Sequence, residues 1–268
     1  MSLPDRDDAD WRRWQAARRA ELAAPDSWLG LVGLHWLDAG DNAVGSAADC
    51  VVRLPRGPAR LGVLQVVGSA VAWIPADPGE PPAQDVRTDA EKEPSVLWYD
   101  RMQFFVIVRD GRLAVRVRDL DWALQRPFAG LDYFPFRSEW VVHARWETLD
   151  TPLSVEVPTM TGDMRAVTVG QRAIFSLMGQ AMALLPLEVG AERISFVFRD
   201  LTGGSETYGG GRFLHAKPPV GGRVILDFNR AFNPPCAFSP FATCPLPPPE
   251  NWLAVAVRAG EKRYSGGH

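Results

Sequence analysis

FFVIVRDGRLAVRVRD, residues 104–119, sets the fold class. Two β-rich runs flank Arg109-Asp110-Gly111-Arg112, and Asp-Gly between such runs is a hairpin signal because both central positions of the tight turn need positive φ. Working outward, the same grammar recurs on both sides. VVRLP from Val51, RLGVLQVV from Arg60 and AVAWIP from Ala70 precede the hairpin. WVVHARWE, LSVEVPT, RAVTVG, RISFVFRD, RVILDFN and WLAVAVRAG follow it, each alternating apolar and polar positions over the length of a half-buried strand. AIFSLMGQAMALL, from Ala173, fits strand or helix, and its Gly179 weakens the helix reading.

One convincing long helix precedes the strands. Over residues 5–24, Trp11, Trp14, Arg18 and Leu22 recur at helical spacing, with Asp5, Asp7 and Asp8 at the front and Arg18 and Arg19 at the back, as the helix dipole favours. The tryptophan stripe is expected to pack against the sheet. The expected architecture is mostly β, antiparallel sheets forming a barrel or sandwich, with an N-terminal α-helix. Residues 1–268 are read as a single compact unit, with a first β layer over 28–125 and a second over 126–264. PADPGEPPAQDVRTDAEKEPS, residues 75–95, is Pro-rich and charged and reads as an exposed excursion from the first layer.

Hydrophobic residues make up 46% of the 268 and include ten Trp and thirteen Phe, enough apolar surface to offset chain entropy without metals or disulfides. The 29 basic and 32 acidic residues are mixed along the chain, so no basic stripe tracks phosphates and nucleic acid is not expected as a partner. No apolar run reaches the roughly 18–20 residues that span a bilayer, and MSLPDRDDADWRRW is acidic where a signal peptide is basic. A cytoplasmic protein without membrane contact is the expectation. Three cysteines, Cys50, Cys236 and Cys244, suit reduced thiols. Cys236 and Cys244 read as buried hydrophobes, with a disulfide left open by their proximity in one loop, and their spacing from His215 matches no common zinc pattern. His35 and His143, in apolar surroundings, read as core histidines.

DLTGGSETYGGGRFL from Asp200 and LDFNRAFNPPCAFSPFATCPLPPPENWLAVAVRAGEK from Leu226 resemble the signature of a bacterial and archaeal family called domain of unknown function 1684. SWLGLVGLHWLDAGDNAVGS from Ser27 resembles its opening segment. The resemblance implies a family and no activity, substrate or cofactor. AGDNAVGSAADCVVRLP is also similar to the first strands of forkhead-associated domains, yet Ser46 follows Gly45 where those have Arg, and no Ser-x-x-His occurs in GPARLGVLQ. A β turn in which Gly45 allows the bend accounts for the same letters.

The candidate site lies between Asp200 and Glu250. Clustered carboxylates, amides and an arginine can bind a polar ligand or exchange protons. Glu206 and Asp227 are the candidate general bases, and Asp200, Thr202, Tyr208, Arg212, Asn229, Arg230, Asn233 and Glu250 the candidate ligand-binding residues. In RVILDFN, Val224, Leu226 and Phe228 share one face and Ile225, Asp227 and Asn229 the other. The segment from Arg230 to Asn251 holds seven prolines, so it is long yet restrained, as a site wall is. Asp200 and Glu206 could equally cap the turn around GGSET, and Asp227 could serve a structural ion pair with Arg212 or Arg230. The function read first is a β protein binding a small polar or anionic molecule, with Arg212 meeting the anion. An enzyme using Asp227 or Glu206 in the same pocket, and an interaction module using the tryptophan helix with residues 75–95, are the alternatives. No metal ligands are singled out, and the sequence leaves any cofactor unknown.

Overall fold

A computed structural model of the chain describes residues 4–77, 79 and 83–266. With 44% of residues in strands against 14% in helices, the chain is mostly β. It resolves into two compact units, one of Ala23–Pro127 and the other of the N-terminal helix through Leu22 with Phe128 onward.

The first unit opens on a single 3-10 turn, Trp28–Gly30, capped by the Ser27 side chain. Its strands are β1 (Leu31–Trp36), β2 (Gly40–Gly45), β3 (Val52–Arg53), β4 (Gly62–Val67), β5 (Ala70–Pro75), β6 (Gln84–Asp85), β7 (Leu97–Tyr99), β8 (Met102–Arg109) and β9 (Arg112–Asp119). Two sheets form, in the orders β1-β9-β8-β7 and β3-β2-β4-β5-β6. All pairings are antiparallel except β2 with β3. Period-two alternation turns Val44, Leu64, Val66 and Trp73 of one sheet toward Phe104, Val106, Val115 and Val117 of the other, making a sandwich core in which Trp73 meets Phe104 edge-on at 5.4 Å. Where the sequence suggested one β layer before residue 126, this unit has two sheets and its own core. Asp110 and Gly111 take φ of 49° and 75°, the type I′ geometry expected of that hairpin. Gly45 serves close approach instead of a bend: a Cβ there would lie 2.3 Å from the Ala59 carbonyl oxygen.

The excursion over 75–95 is partly built in. Gln84–Asp85 pairs with β5, Val86 and Thr88 are buried, and Asp89 accepts from the Val108 N–H while pairing with Arg109. Residues 78 and 80–82 lie outside the described residues.

The second unit carries α1 (Pro4–Ala23) and the strands β10 (Val141–Pro158), β11 (Met164–Leu177), β12 (Gln180–Leu184), β13 (Glu188–Val189), β14 (Ile194–Phe198), β15 (Arg212–Ala216) and β16 (Arg223–Asp227). The sheets run β12-β11-β10-β16 and β13-β14-β15 and form a half-barrel. WVVHARWE and LSVEVPT are one strand, β10, with a register shift between Thr148 and Leu153. AIFSLMGQAMALL is a hairpin whose turn, Met178-Gly179, again has two positive φ values. The core gathers Phe175, Phe196, Phe198, Leu214, Leu226 and Phe228.

Two expectations are corrected in this unit. The α1 stripe does not lie on a sheet: Trp11 and Trp14 pack on Tyr133 and Phe136 of an irregular segment, and Trp11 donates to the Asn229 carbonyl at 3.0 Å. Leu22 is fully buried, Arg18 reaches the buried Glu261, and the side chains of Asp5 and Asp7 lie outside the described residues. WLAVAVRAG alternates buried and exposed positions but is not a strand. Its backbone groups are satisfied by the main chain at Arg199 and Leu201 and by the side chains of Asp200 and Arg212.

Candidate functional site

The polar residues between Asp200 and Glu250 fall into separate settings. Deepest are Asp200 and Arg212, an ion pair at 2.6 Å whose side chains are 2% and 1% exposed. Asp200 Oδ1 accepts from the Thr202 N–H at 2.8 Å, the Thr202 hydroxyl at 2.6 Å and the Val257 N–H at 3.1 Å. The Thr202 hydroxyl also meets that of Thr207 at 2.8 Å. Arg212 donates to the Val257 carbonyl at 2.9 Å and to that of Ala259, and its guanidinium lies 5.1 Å from the Phe198 ring centre. Desolvation pulls this guanidinium below its ordinary pKa, with Asp200 opposing. Such a cluster rivets the strandless segment Trp252–Gly260 to β15 and to the chain just after β14, and Arg212 is buried within it, with only its Nε lacking a hydrogen-bond partner among the described residues.

Asn233 belongs to a second buried group. Its N–H donates to Glu261 at 2.8 Å, its amide donates to the Lys262 carbonyl, and Glu261 receives Arg18 at 3.0 Å. The Tyr208 hydroxyl donates to the Cys236 carbonyl at 3.1 Å. Glu206 pairs with Arg258 on the surface, and Glu250 is exposed on the 3-10 turn Pro249–Asn251.

Asp227, Asn229 and Arg230 do come together. Asp227 ends β16 on the face opposite the core and caps the 3-10 turn Phe228–Arg230, accepting at Oδ1 from the Asn229 N–H and amide at 3.1 and 3.0 Å. Arg230 Nε stands 3.1 Å from Asp227 Oδ2. Asn229 is buried, its amide bound to the main chain of Arg137.

From Asp227 and Arg230 a cleft of about 700 Å3 opens across the outer face of β10 and β16. Register accounts for its floor. Val141 stands opposite Asp227 and His143 opposite Ile225, so these four share the face that Val142, Leu226 and Val224 leave. One end is walled by Asp10 of α1 and by Phe136. The other is walled by His215, Lys217, Pro218, Val220 and Arg223, where β15 turns into β16 through Gly221-Gly222, both at positive φ. Asp10 is engaged by Arg13, and Asp227 by Arg230. Lys217 and Arg223 make no side-chain hydrogen bond or ion pair with any described residue.

His143 and His215 are both exposed in this cleft, and the core reading of His143 is thereby corrected. His215 packs edge-on to Phe232 at 5.0 Å and is drawn below the ordinary imidazole value, by desolvation first and then by Arg193. Half-buried His35, in the other unit, is likewise lowered by desolvation, with a backbone hydrogen bond at Arg53 opposing, and its buried Nε2 has no hydrogen-bond partner among the described residues. Of the residues singled out from sequence, Asp227 and Arg230 line the cleft; Asp10, His143, His215, Lys217 and Arg223 were missed. KPPVGGR, two cations around a Pro-Pro and Gly-Gly turn, was the available signal for two of them.

The family model described as "Protein of unknown function (DUF1684)" matches residues 126–262. The chain belongs to this family. The DUF1684 match takes in every cleft residue except Asp10, while the resembling segment Ser27–Ser46 lies outside it. A solved structure, that of an uncharacterized protein of Haloarcula marismortui determined by NMR in solution, is 35% identical. That similarity covers 50% of this chain and 77% of the other, with a TM-score of 0.42. No match is found among curated proteins. Among the described residues no helix is long and apolar enough to cross a membrane, and no group of three or more His, Cys, Asp or Glu side chains is disposed to hold a metal ion.

Proposed function

We propose that the chain binds a small anionic molecule in the cleft between α1, β10, β16 and the β15–β16 turn. The observation that carries this reading is the pair Lys217 and Arg223, two cations in one concavity with no side-chain partner among the described residues. Unspent cations facing a cleft favour a carboxylate or phosphate there, through charge-assisted hydrogen bonds stronger than neutral ones. The volume of about 700 Å3 lies within the roughly 300–1,000 Å3 usual for small-molecule sites. Val141, Ile225 and Phe136 offer an apolar surface to the ligand's body, with His143 and Asp227 as polar contacts along it.

The test is a thermal-shift and calorimetric screen of inorganic phosphate, citrate and a series of mono- and dicarboxylates. It compares the wild type with Lys217→Gln/Arg223→Gln. A ligand that stabilises the wild type and binds at least about tenfold more weakly to the double variant, as loss of charged hydrogen bonds requires, supports the reading. Equal binding by both proteins refutes it.

A carboxylate-base enzyme in the same cleft is favoured by one observation: Asp227 shares the cleft with two imidazoles. Incubating any ligand from the screen with the wild type and Asp227→Asn, followed by NMR, separates the two readings. Conversion by the wild type alone supports catalysis; binding without conversion leaves a binding protein.

A further inference from the structure

Cys236 and Cys244 lie on the proline-rich segment between Arg230 and Asn251, and both are buried thiols. The Cys236 N–H donates to Cys244 Sγ at 3.2 Å, so one sulfur rests against the backbone of the other cysteine. Each is anchored to a different part of the unit. The Cys236 carbonyl accepts the Tyr208 hydroxyl at 3.1 Å, and the Cys244 carbonyl accepts the Met160 N–H at 3.0 Å. Hydrogen bonding with Cys244, joined by Tyr208 and opposed by burial, holds the Cys236 thiol below its ordinary value, which raises its thiolate fraction. Among the described residues no third ligand completes a metal site with them.

We propose that Cys236 and Cys244 are a reversible dithiol–disulfide pair, oxidised by a peroxide and reduced by a small thiol. In the oxidation, one thiolate attacks a peroxide oxygen and breaks the O–O bond, giving a sulfenic acid and one water. The second thiolate attacks that sulfur, forms the S–S bond and expels hydroxide, which takes up a proton as the second water. Two thiols and one hydrogen peroxide thus yield one disulfide and two waters; in the reduction, one small thiolate attacks the S–S bond to give a mixed disulfide and one cysteine thiol, and a second displaces the other cysteine thiol as the small disulfide leaves. The Cys244 sulfur already lies 3.2 Å from the Cys236 backbone nitrogen and the two side chains are hydrogen-bonded, so closing the S–S bond to about 2 Å asks for local side-chain rearrangement within one loop. Oxidation ties the Tyr208 anchor to the Met160 anchor.

The test uses the full chain carrying Cys50→Ser, treated with hydrogen peroxide, blocked by alkylation and digested with trypsin. No Lys or Arg occurs between Arg230 and Arg258, so both cysteines fall in one peptide. The expected result is that this peptide loses both alkylation sites and two hydrogens of mass, with alkylation restored by dithiothreitol. Cys244→Ser should instead give a sulfenic acid at Cys236 that dimedone traps. Persistent alkylation of both thiols, irreversible sulfinic acid at either, or disulfides between chains overturns the proposal, and the wild-type pair decides even if Cys244→Ser does not fold.

Discussion

Replacing Arg212 by Met should destabilise the protein severely, and replacing Asp200 by Asn as well should return part of the loss. Arg212 and Asp200 are almost wholly buried, and the guanidinium donates to Asp200 Oδ2 and to the carbonyls of Val257 and Ala259. Removing one member of a buried ion pair costs about 3–5 kcal/mol, because the other charge stays behind without its partner. The two orphaned carbonyls add to this, at roughly 1–3 kcal/mol each where no water replaces the donor. The introduced methionine can set its thioether over the Phe198 ring where the guanidinium carbon lay, which offsets some of that sum. A net loss of about 4–10 kcal/mol follows, equivalent to a fall of at least roughly 10 °C in Tm for a unit of this size. In Asp200→Asn/Arg212→Met neither charge of the pair remains and the carbonyls are the main orphaned groups, so the double variant should lose about 2–6 kcal/mol, less than the single. Thermal melts of the four proteins of the cycle measure the coupling. Hydrogen exchange over residues 252–260 locates it, since the Val257 N–H bonds to Asp200. A loss below about 1 kcal/mol for Arg212→Met, or a double variant less stable than that single, would refute the assignment of this pair as the fastening of the C-terminal segment.

Three further outcomes follow from the same physics. Asp119 is held below the ordinary carboxylate range, first by its hydrogen bonds from Arg56, with burial opposing. Its stabilising contribution is therefore present above the unfolded-state pKa and lost as pH falls through the depressed folded value, so Asp119→Asn should flatten the acid limb of a Tm-versus-pH curve; an unchanged limb counts against it. Met178 sits at φ 51° in a type I′ turn before Gly179, so Met178→Asn should stabilise by about 1 kcal/mol in a thermal melt. Deleting residues 1–24 removes Arg18 from buried Glu261, at a cost of about 3–5 kcal/mol before the loss of Leu22 and Trp11 is counted. Circular dichroism should then show no cooperative melt of the Phe128–His268 unit, and a retained one would mean the helix is dispensable to it.

The β character was legible because alternation is local: Val224, Leu226 and Phe228 go to the core and Ile225 and Asp227 away from it, as period two demands. Asp110-Gly111 was legible as a turn for the same reason, whereas Met178 is not a turn residue and hid the second hairpin within an apolar run. WLAVAVRAG had a strand's pattern without a strand's partners. What holds it is a carboxylate and a guanidinium more than forty residues away in sequence, and no local pattern encodes that. The core reading of His143 rests on its apolar neighbours and not on the strand alternation already legible over WVVHARWE. His143 stands between Val142 and Ala144, and His215 between Leu214 and Ala216, and all four neighbours are buried. In a helix, apolar neighbours leave the face undecided; in a strand, they point to the opposite side. Apolar flanks are thus evidence that each imidazole faces out, and on this sheet the outer face is the cleft. Applied consistently to β10, β15 and β16, that rule brings His143, His215, Arg223 and Asp227 to the outer faces from sequence alone. Asp10 remains beyond it, because a helix 131 positions earlier than Val141 reaches the cleft only through the packing of Trp11 and Trp14 on Tyr133 and Phe136.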